Sequence, residues 1–344
     1  MGFFDNIFGK RKELIWSYKT NYTVFDVRFS PDDSLIAAGS GDGGIYIFNR
    51  SGELLWSHKT EGSIQGGISF SADGSLIAVG SCDTRVYLFD RSGELQWSYE
   101  TGGEVFSAII SANGSYVAVG SDDGRLYLFS RSGELLWSYE LGKAVRGVSV
   151  SADGSVISAA VHMPRDTPDK VCLFSHSGKL LWSHNAKAVL DTSMSTDGTL
   201  IATHSVGEIY LFDRSGKLLW SNKIGVGSMS ISLSSDGSLI VAGIIVGPED
   251  SRVYTYDRSG KLLWSYPDEG IVRCISVSSN SSLIAAVTHN DYGKAYLFNH
   301  SGELLWSYKA RGRLVSVCIS TDGSLLAVGS TDFKVYLFDI ERFL

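Results

Sequence analysis

Apolar residues in this chain come in short bursts, and Gly, Asp and Ser punctuate them. In one representative stretch the bursts fall at residues 64–70, 76–80, 86–90 and 95–99. Runs this short, rich in Val, Ile, Phe and Tyr, predict strands rather than helices. Asp73-Gly74 joins the first two runs and Ser92-Gly93 the last two. Each pair supplies the left-handed backbone positions that a tight hairpin needs.

The four-run unit returns along nearly the whole chain. Eight tryptophans mark its period, Trp16, Trp56, Trp97, Trp137, Trp182, Trp220, Trp264 and Trp306, at a mean spacing of about 41 residues. That spacing lies in the range of propellers and other repeat arrays, and four antiparallel strands per unit make a propeller blade. Leu14–Lys19 reads as an outer strand with no first three before it, while 315–319, 325–329 and 335–339 read as three strands lacking a fourth. The expected fold is therefore all-β: a single eight-bladed β-propeller over residues 13–344, its last blade closed by the N-terminal strand. Such a clasp removes a sheet edge that would otherwise invite mispairing.

Composition narrows the function classes. Aromatics at 12% and charged residues at 19% leave ample apolar surface for one ring of 344 residues. A net charge of −7 argues against nucleic acid, because binding phosphates needs clustered Lys and Arg. No run approaches the roughly 20 apolar residues of a membrane span, and the start does not follow the order of a signal peptide. The four cysteines lack metal-ligand spacing. Cys274 and Cys318 sit four and two positions before the Ser closing their innermost strands, the same parity, so both face the same way and are poor disulfide partners. A cytoplasmic location is the expectation.

Residues 1–12 stand outside the repeat as an amphipathic segment. Phe3, Phe4, Ile7 and Phe8 fall at helical spacing, with a basic cluster after them. The segment reads as a latch on the propeller rim, a docking peptide for a partner, or a weak membrane-surface anchor. One or two helical turns bury too little to hold a membrane strongly, and Asn6 breaks the myristoylation pattern.

The run Phe89-Asp90-Arg91-Ser92-Gly93-Glu94-Leu95-Gln96-Trp97-Ser98-Tyr99 resembles the tryptophan-docking repeat of quinoprotein-like (PQQ-type) eight-bladed propellers. Ser71-Ala72-Asp73-Gly74-Ser75-Leu76-Ile77-Ala78-Val79-Gly80-Ser81-Cys82-Asp83 resembles the front of a WD40 repeat. The resemblance covers residues 13–339 and implies tryptophans packed between neighbouring blades. No unit has the Gly-His pair of WD40 repeats, and pairs such as Phe89-Asp90, Phe129-Ser130 and Tyr256-Asp257 replace the Trp-Asp ending. These folds host enzymes, scaffolds and receptors alike. A PQQ-dependent dehydrogenase is one alternative, but the adjacent Cys-Cys pair frequent in that family is missing, as are long loops to cover a cofactor. The expectation is no cofactor and no catalysis: a scaffold or protein-interaction subunit of a larger complex. A small-ligand sensor at the channel mouth is a further alternative.

Features repeated in register describe the scaffold, so the information lies in the breaks. The Arg-Ser-Gly-Glu/Lys turns at 50–53, 91–94, 131–134, 214–217 and 258–261 read as a solvated rim. By analogy with WD40 topology, the second-to-third-strand loops and the connectors entering each innermost strand share one face, the top. Units 1, 2, 3 and 8 keep a compact Gly-Ser-x-Asp loop there, and units 4 to 7 depart from it. Unit 4 inserts residues 162–169, with His162, Met163, Arg165 and Asp166. Unit 6 inserts 246–251, with Glu249 and Asp250; unit 7 carries His289, Asp291 and Tyr292; unit 5 has His204-Ser205-Val206-Gly207. At the start of the innermost strands, Phe25, Phe106, Arg146, Met229 and Arg273, with Asp26 and Asp191 one position on, are expected to ring the channel mouth. Two Arg and two Asp could grip a carboxylate or a partner's charged tail, or pair among themselves. A metal site from His162, His204 and His289 is disfavoured, since they lie on blades too far apart to share one ion. The partner face is therefore expected on top, over blades 4–7.

Overall fold

The computed structural model describes residues 13–162, 169–247, 250–268, 270–290 and 292–343. These form eight four-stranded antiparallel sheets. Each innermost strand packs against those of the sheets before and after it, and the last packs against the first. The chain is an eight-bladed β-propeller around a central channel.

Blade 1 runs outward from the channel as Val24–Phe29, Leu35–Ser40, Gly44–Asn49 and Leu54–Lys59. Its second strand is buried at every position, as expected of a strand covered on both faces by neighbouring blades. The apolar core is a set of layers between blades. In one of them Leu76, Ala78, Val86 and Leu88 of blade 2 meet Val105, Ala108, Val117 and Phe129 of blade 3. In blade 2 the innermost strand covers only Ile68–Phe70, shorter than the apolar run suggests. Gly66 and Gly67 lie before it with φ of +156° and +79°. A Cβ on Gly67 would sit 2.9 Å from the Ala108 nitrogen, so the chain presses too closely on blade 3 to extend the strand there.

The tryptophans staple blade to blade, as the resemblance implies. The Trp56 indole N–H donates to the Arg91 carbonyl at 3.1 Å, and its ring tilts against Phe89 at 5.6 Å. The ring lies on Gly93, whose φ of +93° and lack of a side chain let the turn pass beneath; a Cβ there would fall 2.7 Å from the indole. Trp16 docks on Arg50 and Phe48 in the same way, and Leu14–Lys19 pairs with the third strand of blade 8, Lys334–Asp339, which establishes the clasp. Trp306 is the exception. At the seam no turn joins third to outer strand, and its indole donates instead to the Glu13 carboxylate at 2.8 Å. Arg342 binds the same carboxylate, and the Glu13 carbonyl accepts from the Asp339 N–H at 2.8 Å.

Two of the arginines in the lower-face turns are tied to neighbouring blades rather than simply solvated. Arg91 reaches Asp32 of the preceding blade at 2.8 Å, and Arg50 reaches Asp322 across the seam at 3.3 Å. They are straps between blades.

Candidate functional site on the top face

Hydrogen bonds fix which loops share a face. The backbone N–H groups of Asn21, Glu61 and Gly102, on connectors entering innermost strands, donate to Asp42, Asp83 and Asp123 in the second-to-third-strand turns. The expected grouping of loops holds. The same aspartates accept from the hydroxyls of Tyr46, Tyr87 and Tyr127, which explains both the compact loop and the recurrent tyrosine.

Blade 4 breaks this arrangement because Cys172 stands where those blades have tyrosine. Asp169 takes over the tether. It is buried, accepts from the Val189 N–H at 3.2 Å, meets His162 Nδ1 at 2.8 Å and lies 3.9 Å from the buried Lys143 Nζ. Beside it the Arg146 guanidinium rests 3.8 Å over the Phe106 ring and 3.3 Å from Asp122. Asp122, Asp123, Lys143, Arg146 and His162 line a cleft of about 300 Å³ between blades 3 and 4. Arg146 thus combines the two readings: it is paired with a neighbour, and it still borders a cleft.

Elsewhere the sequence expectations need correction. His204 and Ser205 are not loop residues; they end the strand Leu200–Ser205, leaving Val206-Gly207 as the turn. His204 is wholly buried, neither ring nitrogen has a partner among the described residues, and burial pushes its pKa down to about 4. The unit 6 insertion lengthens the hairpin, Leu239–Gly247 against Asp250–Asp257, rather than forming a separate loop. Asp250 is spent on Arg252 at 3.5 Å. His289 ends the strand Leu283–His289, with Nε2 3.2 Å from Arg313.

Asp26 does not offer itself to a partner. It is 3% exposed and built into the channel wall, accepting from the Ile68 N–H at 3.2 Å and the Ser316 hydroxyl at 3.3 Å. Phe25 packs beneath the Gly41 turn, where a Cβ would meet its ring at 2.9 Å. Met229 is half-buried at the start of blade 6, and Asp191 is half-buried in blade 5 with its carboxylate accepting from the Thr192 N–H at 2.8 Å. Arg273 is exposed and forms no ion pair among the described residues. Met163, Arg165, Asp166, Glu249 and Asp291 lie outside the described residues, as do Phe3, Phe4, Ile7 and Phe8.

Exposed apolar side chains join the expected Tyr292 with residues the sequence reading did not single out. Those on the described residues fall into two sets. One is a belt on the outer strands, such as Leu55, Leu95 and Leu219. The other lies on the top face: Val206 (52% exposed), Val226 (62%), Ile271 (37%) and Tyr292 (56%) on blades 5 to 7, with Tyr22 stacked on Phe333 at the seam. Tyr292 also carries Lys309 4.6 Å over its ring. A second hollow of about 430 Å³ opens beside Val206, between Lys187, Glu208 and Tyr210.

Blades stapled by an outer-strand indole, with variable loops gathered on one face, define a repeat-built β-propeller. The family model for outer membrane protein assembly factor BamB, a PQQ-like repeat model, matches residues 41–188 and 167–313, together most of the ring. The WD domain, G-beta repeat model matches residues 12–49 and 302–339 at its two ends. The chain belongs to the WD40- and PQQ-like family of eight-bladed propellers. No curated protein matches it.

Proposed function

We propose that this protein is a non-enzymatic interaction platform, a subunit of a larger assembly in a reducing compartment, and that its partner sits on the top face over blades 4–7. The observation that carries the reading is the apolar group Val206, Val226, Ile271 and Tyr292, exposed on consecutive blades beside the exposed Arg273. Exposed apolar side chains gathered on one face, rimmed by charge, mark interaction sites in soluble proteins, and Tyr and Arg are enriched among the residues that dominate binding. The irregular turns that present these side chains ride on a rigid ring, so they vary without disturbing its core. The family model is named for an assembly factor, and the four free cysteines suit a reducing location.

The test is photo-crosslinking in native extract, with the reactive group placed in turn at Val206, Tyr292, Leu219 and Ser92. One and the same adduct from 206 and 292, with none from the outer wall or lower face, supports the reading. Once that partner is purified, Tyr292→Ala with Arg273→Ala should weaken binding by at least about 2 kcal/mol. Adducts formed only from Leu219 or Ser92 would show that the binding face lies elsewhere.

A further inference from the structure

The wall of the channel holds an arginine that the scaffold does not use up. Two positions before the closing Ser of each innermost strand stand Arg28, Ser69, Ile109, Ser149, Ser193, Ser232, Ser276 and Cys318. In an eight-fold ring these side chains share one level, and all are partly accessible while residues next to them, such as Val27 and Val317, are buried. The level thus carries five hydroxyls, one isoleucine, one thiol and a single guanidinium. Three of the hydroxyls are committed to the wall: Ser69, Ser193 and Ser276 accept from the Ile110, Leu233 and Ile319 N–H groups of the next blade.

Arg28 uses only its Nε, 3.3 Å from Asp26, and its side chain remains 45% accessible although the ring surrounds it. Its two terminal nitrogens have no partner among the described residues. Asp26 is already engaged by Ile68 and Ser316, so it fixes the guanidinium without covering it. Four blades away, and hence on the opposite wall, stands Asp191, four positions before its closing Ser and so two residues nearer the top face than Arg28. The two form no ion pair among the described residues, yet each acts on the other's charge. Burial raises the Asp191 carboxyl to about 6, with Arg28 opposing the rise, so it is mostly ionised at neutral pH.

A simple anion does not suit this place, because Asp26 backs the arginine and Asp191 confronts it. A simple cation does not suit it either, because the exposed Arg28 guanidinium carries its own positive charge into the lumen. A small molecule carrying both charges satisfies every group. We propose that the channel binds an α-amino acid zwitterion, its carboxylate on the two free nitrogens of Arg28 and its ammonium on Asp191. A carboxylate matches the planar fork of a guanidinium with two parallel hydrogen bonds. The proposal does not depend on the top-face partner.

The experiment is a thermal-shift screen of the full chain at pH 7.5 against the twenty α-amino acids at 10 mM, with acetate and methylammonium at the same concentration, followed by calorimetry of the strongest. The expected result is a shift from at least one amino acid and none from acetate or methylammonium. Arg28→Gln and Asp191→Asn should each lower that affinity at least tenfold, and Arg131→Gln in a lower-face turn should leave it unchanged. No shift from any amino acid, an equal shift from acetate, or affinity that survives Arg28→Gln would overturn the proposal. A crystal soaked with the strongest binder locates it without any variant, and density outside the channel would be equally fatal.

Discussion

Glu13 offers a measurement that no other position in the ring allows. Elsewhere the docking tryptophans donate to backbone carbonyls, such as that of Arg91, which substitution cannot remove. At the seam the acceptor is a side chain, so Glu13→Ala deletes the bond from Trp306 while leaving the indole in place. Trp306 is 5% exposed, and the N–H left behind would be desolvated without a partner. A hydrogen bond to a charged group contributes about 1.5–3 kcal/mol. The Arg342 pair, with side chains 38% and 40% exposed, adds well under about 1 kcal/mol. The total expected loss is about 2–3 kcal/mol. A chain of 344 residues unfolds with an entropy of about 0.7 kcal/mol/K at the per-residue average, so the melting temperature should fall by about 3–4 °C. Glu13→Gln keeps a neutral acceptor and should lose about half as much. In a double-mutant cycle, Trp306→Phe should make Glu13→Ala nearly silent, since the partner is already gone. Urea titration and scanning calorimetry would read these differences. If Glu13→Ala melts with the wild type, or adds in full to Trp306→Phe, the seam is not held by this bond.

Trp97→Ala should cost about 2–4 kcal/mol, somewhat under the range for fully buried aromatics because the ring is only half covered, and a urea midpoint measures it. Gly93→Ala forces a Cβ into the Trp56 ring at a φ of +93° and should cost at least about 2 kcal/mol by the same measurement, whereas a residue that could relax there would cost almost nothing. His204 has its pKa lowered by burial from 6.5 to about 4, so the unfolded chain takes up its proton first as pH falls. Its contribution therefore erodes below about pH 6.5 and is fully lost near pH 4, a swing of about 3 kcal/mol. His204→Leu should flatten the acid limb of stability against pH relative to the wild type, and an unchanged limb would show that the imidazole is not buried neutral.

The blade count and the clasp were legible because the repeat makes one inference eight times over, and a missing quarter at each end admits one closure. The loops of blades 5 to 7 were harder. His204, Thr288 and Val246 look like loop residues only against the compact template; their strands in fact run on past it. The channel was misread for a different reason. Six of the eight innermost strands carry a bulge near their start, as between Val24 and Asp26, which upsets strict alternation; those of blades 2 and 5 do not. Attention to the position five before the closing Ser found Phe25 and Arg273, while the charge that faces the lumen stands two before it. Arg28 among five serines was visible in the sequence, had parity been counted from the end of the strand rather than its start. The exposed Val206 and Val226 left no such trace, because a single valine in a turn carries no periodic signal.

The open turn of blade 8 makes the ring a candidate for circular permutation. Phe338-Asp339 followed by Glu13-Leu14 repeats Phe89-Asp90 and Glu94-Leu95 with only Arg-Ser-Gly missing between them. The Asp339 N–H meets the Glu13 carbonyl at 2.8 Å, as that of Asp90 meets Glu94 at 2.9 Å. Splicing those three residues between 339 and 13 would restore a continuous hairpin and give Trp306 a backbone carbonyl to dock on. The chain could then be opened at any of the seven matching turns on the lower face, moving both ends around the ring while the top face and the channel stay as they are.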